Sequence, residues 1–270
     1  MSKTREKSHF ESRFKEQVME VIAVTGASGI SAGRAGGNQM WNASIPLIAW
    51  KALGNNEPPI KEELRLEWLV DDDEWENTRD LLDMNSIARL HVRKAEKSMM
   101  LVSVIEKDYR DDELEIVLQE SLKPVFYKDD VLGIFELNKG IKVFEKDISW
   151  AGEEGYLYFD WNEDRTVMHS ALKTAYELFK EQDAWNRKIR GYAAEELVEL
   201  ANEWLEDNEE AEMNKITKEI FVGLMKLSSI SVYPDGDFDL FFDDGDMFWG
   251  HSIIVTGNIN GEFSSAEIAG

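Results

Sequence analysis

The sequence predicts an α+β protein of two domains, each a mostly antiparallel sheet packed with helices, and three observations predict it. The apolar patterns run as strands, then helices, then strands, instead of alternating one for one as a doubly wound sheet requires. Two Asp-Gly pairs, Asp235-Gly236 and Asp244-Gly245, stand between runs of alternating apolar residues, which is the strongest short-range signal for a β-hairpin. At 270 residues the chain is long enough for one large or two ordinary domains, and 43% hydrophobic with 11% aromatic content supplies a packed core.

In chain order, residues 1–40 read as an N-terminal helix and a glycine-rich loop. Phe10, Phe14, Val18 and Ile22 fall four apart among charged residues, so residues 8–23 are expected to form a one-sided amphipathic helix. An α+β domain is expected over 41–125. Residues 45–53 and 64–70 read as strands around Gly54 and Pro58-Pro59. Asp71 to Asp73 then cap a helix running to about Met84, because carboxylates at a helix start accept its orphan N–H groups. Residues 87–92 and 99–105 make a second strand pair and 112–121 a short helix.

A second α+β domain is expected over 126–270. It begins with strands at 125–127, 133–137, 141–150 and 156–161. Asp164 opens a long helical stretch, with Met168, Ala171, Leu172, Ala175 and Phe179 on one stripe that continues to about Leu205 and bends at Gly191. Its outer face over 195–212 is almost wholly acidic, a solvated face unless something basic covers it. Thr217 caps a third helix, and a three-stranded β-meander over 228–257 closes the fold.

The meander is where the chemistry concentrates. Side chains alternate along a strand, so Asp235, Asp237 and Asp239 point one way and Phe238, Leu240 and Phe242 the other. Trp249, His251, Ile253 and Val255 share a face of the last strand. From Leu227 onward no Lys or Arg neutralises eight carboxylates. Asp235, Asp237, Asp239, Asp243, Asp244, Asp246, Trp249 and His251 are therefore the candidate partner-binding residues.

Those carboxylates with His251 could instead ligate Mg²⁺ or Ca²⁺ and serve a metal-dependent hydrolase. The spacing departs from a calcium loop, since Leu240 stands where glycine is needed and Asp246 where glutamate is needed. A solvated strand face with two turn aspartates accounts for the set without a metal. His251 could be a general base, but its apolar companions suit a hydrogen-bonded histidine that fixes the meander. No Gly-x-Ser-x-Gly elbow and no His-Glu-x-x-His helix occurs, and no cofactor is expected. Thr25-Gly26-Ala27-Ser28-Gly29 looks like a dinucleotide phosphate turn. A helical pattern before it, further glycines after it and no acid over 41–56 argue instead for a glycine loop, either mobile or ordered by a partner.

Charge points to the partner class. The formal charge is −24, yet residues 1–60 hold 7 basic and 5 acidic side chains, so the excess acid all lies beyond them. A field of that sign repels nucleic acid and anionic lipid and favours a basic protein, although solubility alone also explains an acidic chain. The absence of Cys rules out disulfides and thiol chemistry, and with no secretory or membrane-length apolar run it is consistent with a cytoplasmic protein.

Four stretches carry a resemblance: Leu132-Gly133-Ile134-Phe135, Ala201-Asn202-Glu203-Trp204, Tyr233-Pro234-Asp235-Gly236, and the run from Asp244 through Met247-Phe248-Trp249-Gly250-His251 to Ile253. Over about residues 130–270 the chain resembles the bacterial family catalogued as domain of unknown function 2262, and residues 1–125 look like the partner domain that often precedes it. The resemblance implies no established activity and no catalytic residue. Related acidic domains occur among immunity proteins of bacterial toxin systems. That association suggests a non-enzymatic inhibitor of a basic partner, such as a toxin or a nucleic-acid enzyme.

Overall fold

The computed structural model describes residues 2–54, 57–207 and 213–270. The chain divides into two compact units, one running to Pro124 with Lys139–Ile141, the other comprising Val125–Asn138 and Lys142–Gly270.

The first unit contains α1 (Lys3–Glu11), β1 (Val18–Thr25), β2 (Ser31–Gly33), β3 (Trp41–Ala52), β4 (Leu64–Val70), α2 (Asp72–Thr78), β5 (Ile87–Lys94), β6 (Ser98–Glu106) and α3 (Asp112–Leu122). Its strands pair in the order β1-β5-β6-β4-β3-β2, and β1 also pairs with β3. That extra pairing closes five strands into a ring, with β2 attached to β3. Inside lie Val21, Ile45, Leu47, Leu66, Leu90 and Met99, all buried. A small closed sheet fills its interior with side chains and leaves few open strand edges. Ile22 and Val24 of β1 face outward and are covered by Leu114, Val117 and Leu118 of α3.

The N-terminal helix is shorter than its apolar spacing implies, because α1 ends at Glu11 and the chain from Val18 is a strand. The i, i+4 pattern from Phe10 to Ile22 is real, but Val18–Thr25 is rich in β-branched residues whose stiff χ1 favours the pleated sheet. Phe10 and Phe14 still meet, at 5.2 Å between ring centroids. Arg13 lies over both rings and donates to both oxygens of buried Glu67, each at 3.0 Å. The first turn of α2 is a capping box between Asp71 and Glu74, yet the helix stops at Thr78, short of Met84. The glycine segment does follow a strand, contrary to expectation, but β2 and not a helix comes after it, so the architecture of a dinucleotide turn is missing.

The second unit holds β7 (Phe126–Asp129), β8 (Gly133–Asn138), β9 (Val143–Trp150), β10 (Glu153–Asp160), α4 (Arg165–Lys180), α5 (Gln182–Glu206), α6 (Lys218–Leu224), β11 (Lys226–Val232), β12 (Asp237–Asp243), β13 (Ser252–Asn258) and β14 (Phe263–Ala269). Eight strands pair in sequence order from β7 to β14. Every neighbouring pair is antiparallel except β10 and β11. A parallel pair needs a crossover, and here the crossover is α4, α5 and α6. All three helices therefore lie on one side of the sheet. Met168, Leu172, Ala175, Ile189, Leu197 and Phe221 pack there against Phe144, Phe159, Ile230, Phe238, Leu240 and Val255.

Asp164 caps α4 by accepting from the Thr166 N–H at 2.8 Å, and Thr217 caps α6 through the Ile220 N–H. The long helix breaks at Glu181, whose φ of −127° and ψ of 34° leave the helical region, and it passes through Gly191 without interruption. Buried Arg190 ties α5 to the α6 end, donating to the carbonyls of Met225 at 2.7 Å and Val222 at 3.2 Å and to Glu153 on β10. Of the acidic helix face over 195–212, residues 208–212 lie outside the described residues. The meander has four strands, because β14 continues it. Among the described residues, no helix is long and apolar enough to cross a membrane.

Candidate functional site

The predicted site residues occupy one strand and two turns of the meander. Asp235 sits in a single 3-10 turn, not on β12, with φ of 64°, and it is exposed. Gly236 beside it has φ of 91°, and a Cβ there would come within 2.7 Å of Ile259, so this turn requires glycine. Asp237, Asp239 and Asp243 do share the outward face of β12, while Phe238, Leu240 and Phe242 are buried beneath.

Three of the aspartates are committed to neighbours. Asp237 accepts from Asn258 Nδ2 at 2.7 Å. Asp239 accepts from Thr256 Oγ1 at 2.6 Å and from the Tyr233 hydroxyl at 3.0 Å. Burial, reinforced by the Asp239 charge, pushes the Tyr233 hydroxyl up to about 12. Asp244 is only 3% exposed, and its carboxylate gathers the backbone N–H groups of Asp246, Phe248 and Gly250 at 3.1, 2.5 and 3.2 Å. It organises the turn and offers no charge to solvent. Gly245 is needed beside it, because a Cβ would stand 2.5 Å from the Leu224 carbonyl oxygen.

The loop that Asp244 holds presents Trp249. This residue is 59% exposed and has φ of 55°, a left-handed conformation that side chains other than glycine seldom adopt. Trp249 and His251 precede β13, so neither belongs to its buried face with Ile253 and Val255. His251 is half-buried, with Nδ1 2.6 Å from the Phe248 carbonyl oxygen and its ring edge-on to Trp204 at 5.4 Å. Asp243 and Asp246 are exposed at either end of the loop. Among the described residues, no three His, Asp or Glu side chains converge as metal ligands would. The aspartates spread along a surface.

That surface extends beyond the meander. Register places Asp147, Tyr156, Ser229, Phe241, Ile254 and Glu267 in one row across six strands from β9 to β14. Glu145, Tyr158, Ser231, Asp239, Thr256 and Ser265 form the adjacent row. These residues point away from α4, α5 and α6, so no helix of their own unit lies over them. Tyr156 is 48% exposed and stacks with Tyr158 at 6.0 Å. Burial, then the nearby Glu145 and Asp147 carboxylates, raises the Tyr158 hydroxyl above its ordinary value. The rows amount to a strip of Tyr156, Tyr158, Phe241 and Ile254 edged by acid. Sequence reasoning missed it, although the alternation in Glu153–Asp160 is its local signal. At the Asn258 end of the meander, Tyr233, Asp237, Asp239, Thr256 and Glu262 line a depression of about 740 Å³.

A family model described as "Uncharacterized protein conserved in bacteria (DUF2262)" matches residues 129–268, more than half of the chain. The chain belongs to this family. The DUF2262 match starts at the last residue of β7 and ends in β14, so it takes in the sheet from β8 onward with its helices. A second model, a domain of unknown function (DUF7021), matches residues 6–121, which lie within the first unit. No curated protein and no solved structure matches. In the DUF2262 region the available chemistry is thus a broad acidic and aromatic sheet face with a rigid loop presenting Trp249 at one end.

Proposed function

We propose that this DUF2262 protein is a non-enzymatic binding protein that docks a basic protein partner on the outward face of its C-terminal sheet, as an inhibitor or immunity-like protein does. The observation that carries this reading is the bare outer side of the sheet. Asp237, Asp243, Asp147 and Glu267 surround Phe241, Ile254 and the Tyr156–Tyr158 pair; Lys226 stands opposite Asp243, and from Leu227 to Gly270 there is no further Lys or Arg. A partly apolar centre with a charged rim suits a protein interface, and a net negative field speeds encounter with a cationic partner while disfavouring nucleic acid and anionic lipid. A chain without cysteine is suited to a reducing, cytoplasmic setting.

Of the predicted residues, Asp235, Asp237, Asp243, Asp246 and Trp249 would meet the partner directly. Asp239, Asp244 and His251 would shape the surface that does so. The test is capture of partners from lysate by wild type and by a variant with Asp235, Asp237, Asp243 and Asp246 all changed to Asn. The expected result is a salt-sensitive basic protein held by wild type and lost by the variant. Equal capture by the two would contradict the proposal.

A further inference from the structure

Among the described residues Trp161 and Trp249 are the exposed tryptophans, at 39% and 59%, and of the two Trp249 has no cation of its own. Arg34 lies over Trp41 at 4.4 Å, Lys94 over Trp50 at 4.3 Å, Lys188 over Trp185 at 5.0 Å, Arg79 over Trp75 at 5.5 Å and Lys142 over Trp161 at 6.0 Å. Among the described residues, no Lys or Arg is placed over Trp249 or over its neighbour Trp204. The pair is nonetheless rigidly built. Trp204 meets Trp249 at 4.8 Å with the rings tilted by 56°, and Trp204 is itself wedged edge-on between Phe248 and His251. Trp249 stays 59% exposed, with exposed Asp246 in the same loop.

Resting on the docking function above, we infer that Trp249, backed by Trp204, is the seat for an arginine side chain of the basic partner. The occupant follows from the chemistry that this loop leaves unmatched. A cation over an indole face is attracted by the ring quadrupole, and the attraction grows when the pair is shielded from water. A guanidinium is flat, so it can lie on the ring while its edge donates to a carboxylate such as Asp246. A lysine ammonium is a compact, strongly hydrated charge that gains from the acid but less from the ring. An apolar side chain would leave that carboxylate unmatched. Fixing the indole before binding spares the ordering of a large side chain on association, which is how anchor residues contribute most.

The test titrates the full chain, by calorimetry, with two synthetic peptides of equal length and charge, one alternating glycine with arginine and the other glycine with lysine. Wild type is expected to bind the arginine peptide about fivefold more tightly. In Trp249→Leu that preference should vanish with the lysine affinity unchanged, and Trp249→Tyr should keep part of it. Equal affinity of wild type for both peptides, or a preference that survives Trp249→Leu, would overturn the inference. In that event the docking function stands if the four Asp→Asn changes still weaken both peptides. If wild type binds neither peptide, both fall.

Discussion

The two units bury their sheets differently. In the first, β1 pairs with β3 and the strands close on themselves, so one face becomes an interior and α3 covers part of the other. In the second, eight strands stay open, and the only crossover puts all three helices on one side. Closure turns one face of the first sheet into an interior, while its outer side still shows exposed residues such as Val102 and Ile105 of β6. In the open sheet the side away from the helices has Tyr156 exposed and Phe241 and Ile254 half-buried, with acid around them.

The sharpest way to break this contrast is to compare the two sides of β12. Phe238 is fully buried on the helix side, so Phe238→Ala is expected to cost about 3–5 kcal/mol in chemical denaturation. Phe241, three residues along and half-buried on the outer side, is expected to cost about 1 kcal/mol as Phe241→Ala. Similar losses at both positions would mean that the outer face is packed after all.

Next in size is Asp244→Ala. Removing a buried carboxylate that serves three backbone N–H groups leaves donors unsatisfied, with an expected loss of about 2 kcal/mol in thermal or denaturant unfolding. Trp249→Gly, by contrast, should leave stability unchanged or raise it, since glycine adopts the left-handed backbone without strain.

A smaller effect is pH-dependent. Tyr233 is pushed up to about 12 in the folded chain from an ordinary value of 10, by burial and by Asp239. A raised value favours the protonated, neutral hydroxyl when folded. Its contribution is therefore complete below the ordinary tyrosine value and is lost as pH climbs toward about 12. A tyrosinate absorbance titration should show Tyr158, Tyr176 and Tyr233 ionising late, and Tyr233→Phe should remove one of the three. The smallest expected effect is that of the four exposed aspartates: Asp235, Asp237, Asp243 and Asp246 changed to Asn should alter stability by no more than about 0.5 kcal/mol each, marking them as residues kept for something other than the fold.

Much of this was legible in the residues themselves. The Asp-Gly pairs located two of the meander's three turns, and the alternation of Phe238, Leu240 and Phe242 with aspartates assigned both faces of β12. Asp71, Asp164 and Thr217 each cap a helix by a side-chain hydrogen bond, a local signal that survives folding. What could not be read depended on distant partners. The β1–β3 pairing that closes the first sheet and the β10–β11 pairing that aligns Tyr156 with Phe241 through Ser229 leave no local trace. Residues 8–23 misled because a four-residue repeat of Phe, Phe, Val and Ile suits a helix by spacing and a strand by side-chain shape. The break at Glu181 has neither Pro nor Gly to announce it, whereas Gly191 sits quietly inside α5. β14 was missed because Phe263–Ala269 is mostly small and polar, its strand character coming from pairing with β13.

The central claim is that the outer side of the C-terminal sheet is the docking surface. Side-chain oxidation footprinting of the full chain, with and without a captured basic partner, tests it most directly. The account predicts protection of Tyr156, Tyr158, Phe241 and Trp249 while exposed residues of the first unit, such as Val102 and Ile116, stay as reactive as before. Protection confined to the first unit, with those four rings still reactive, would contradict it.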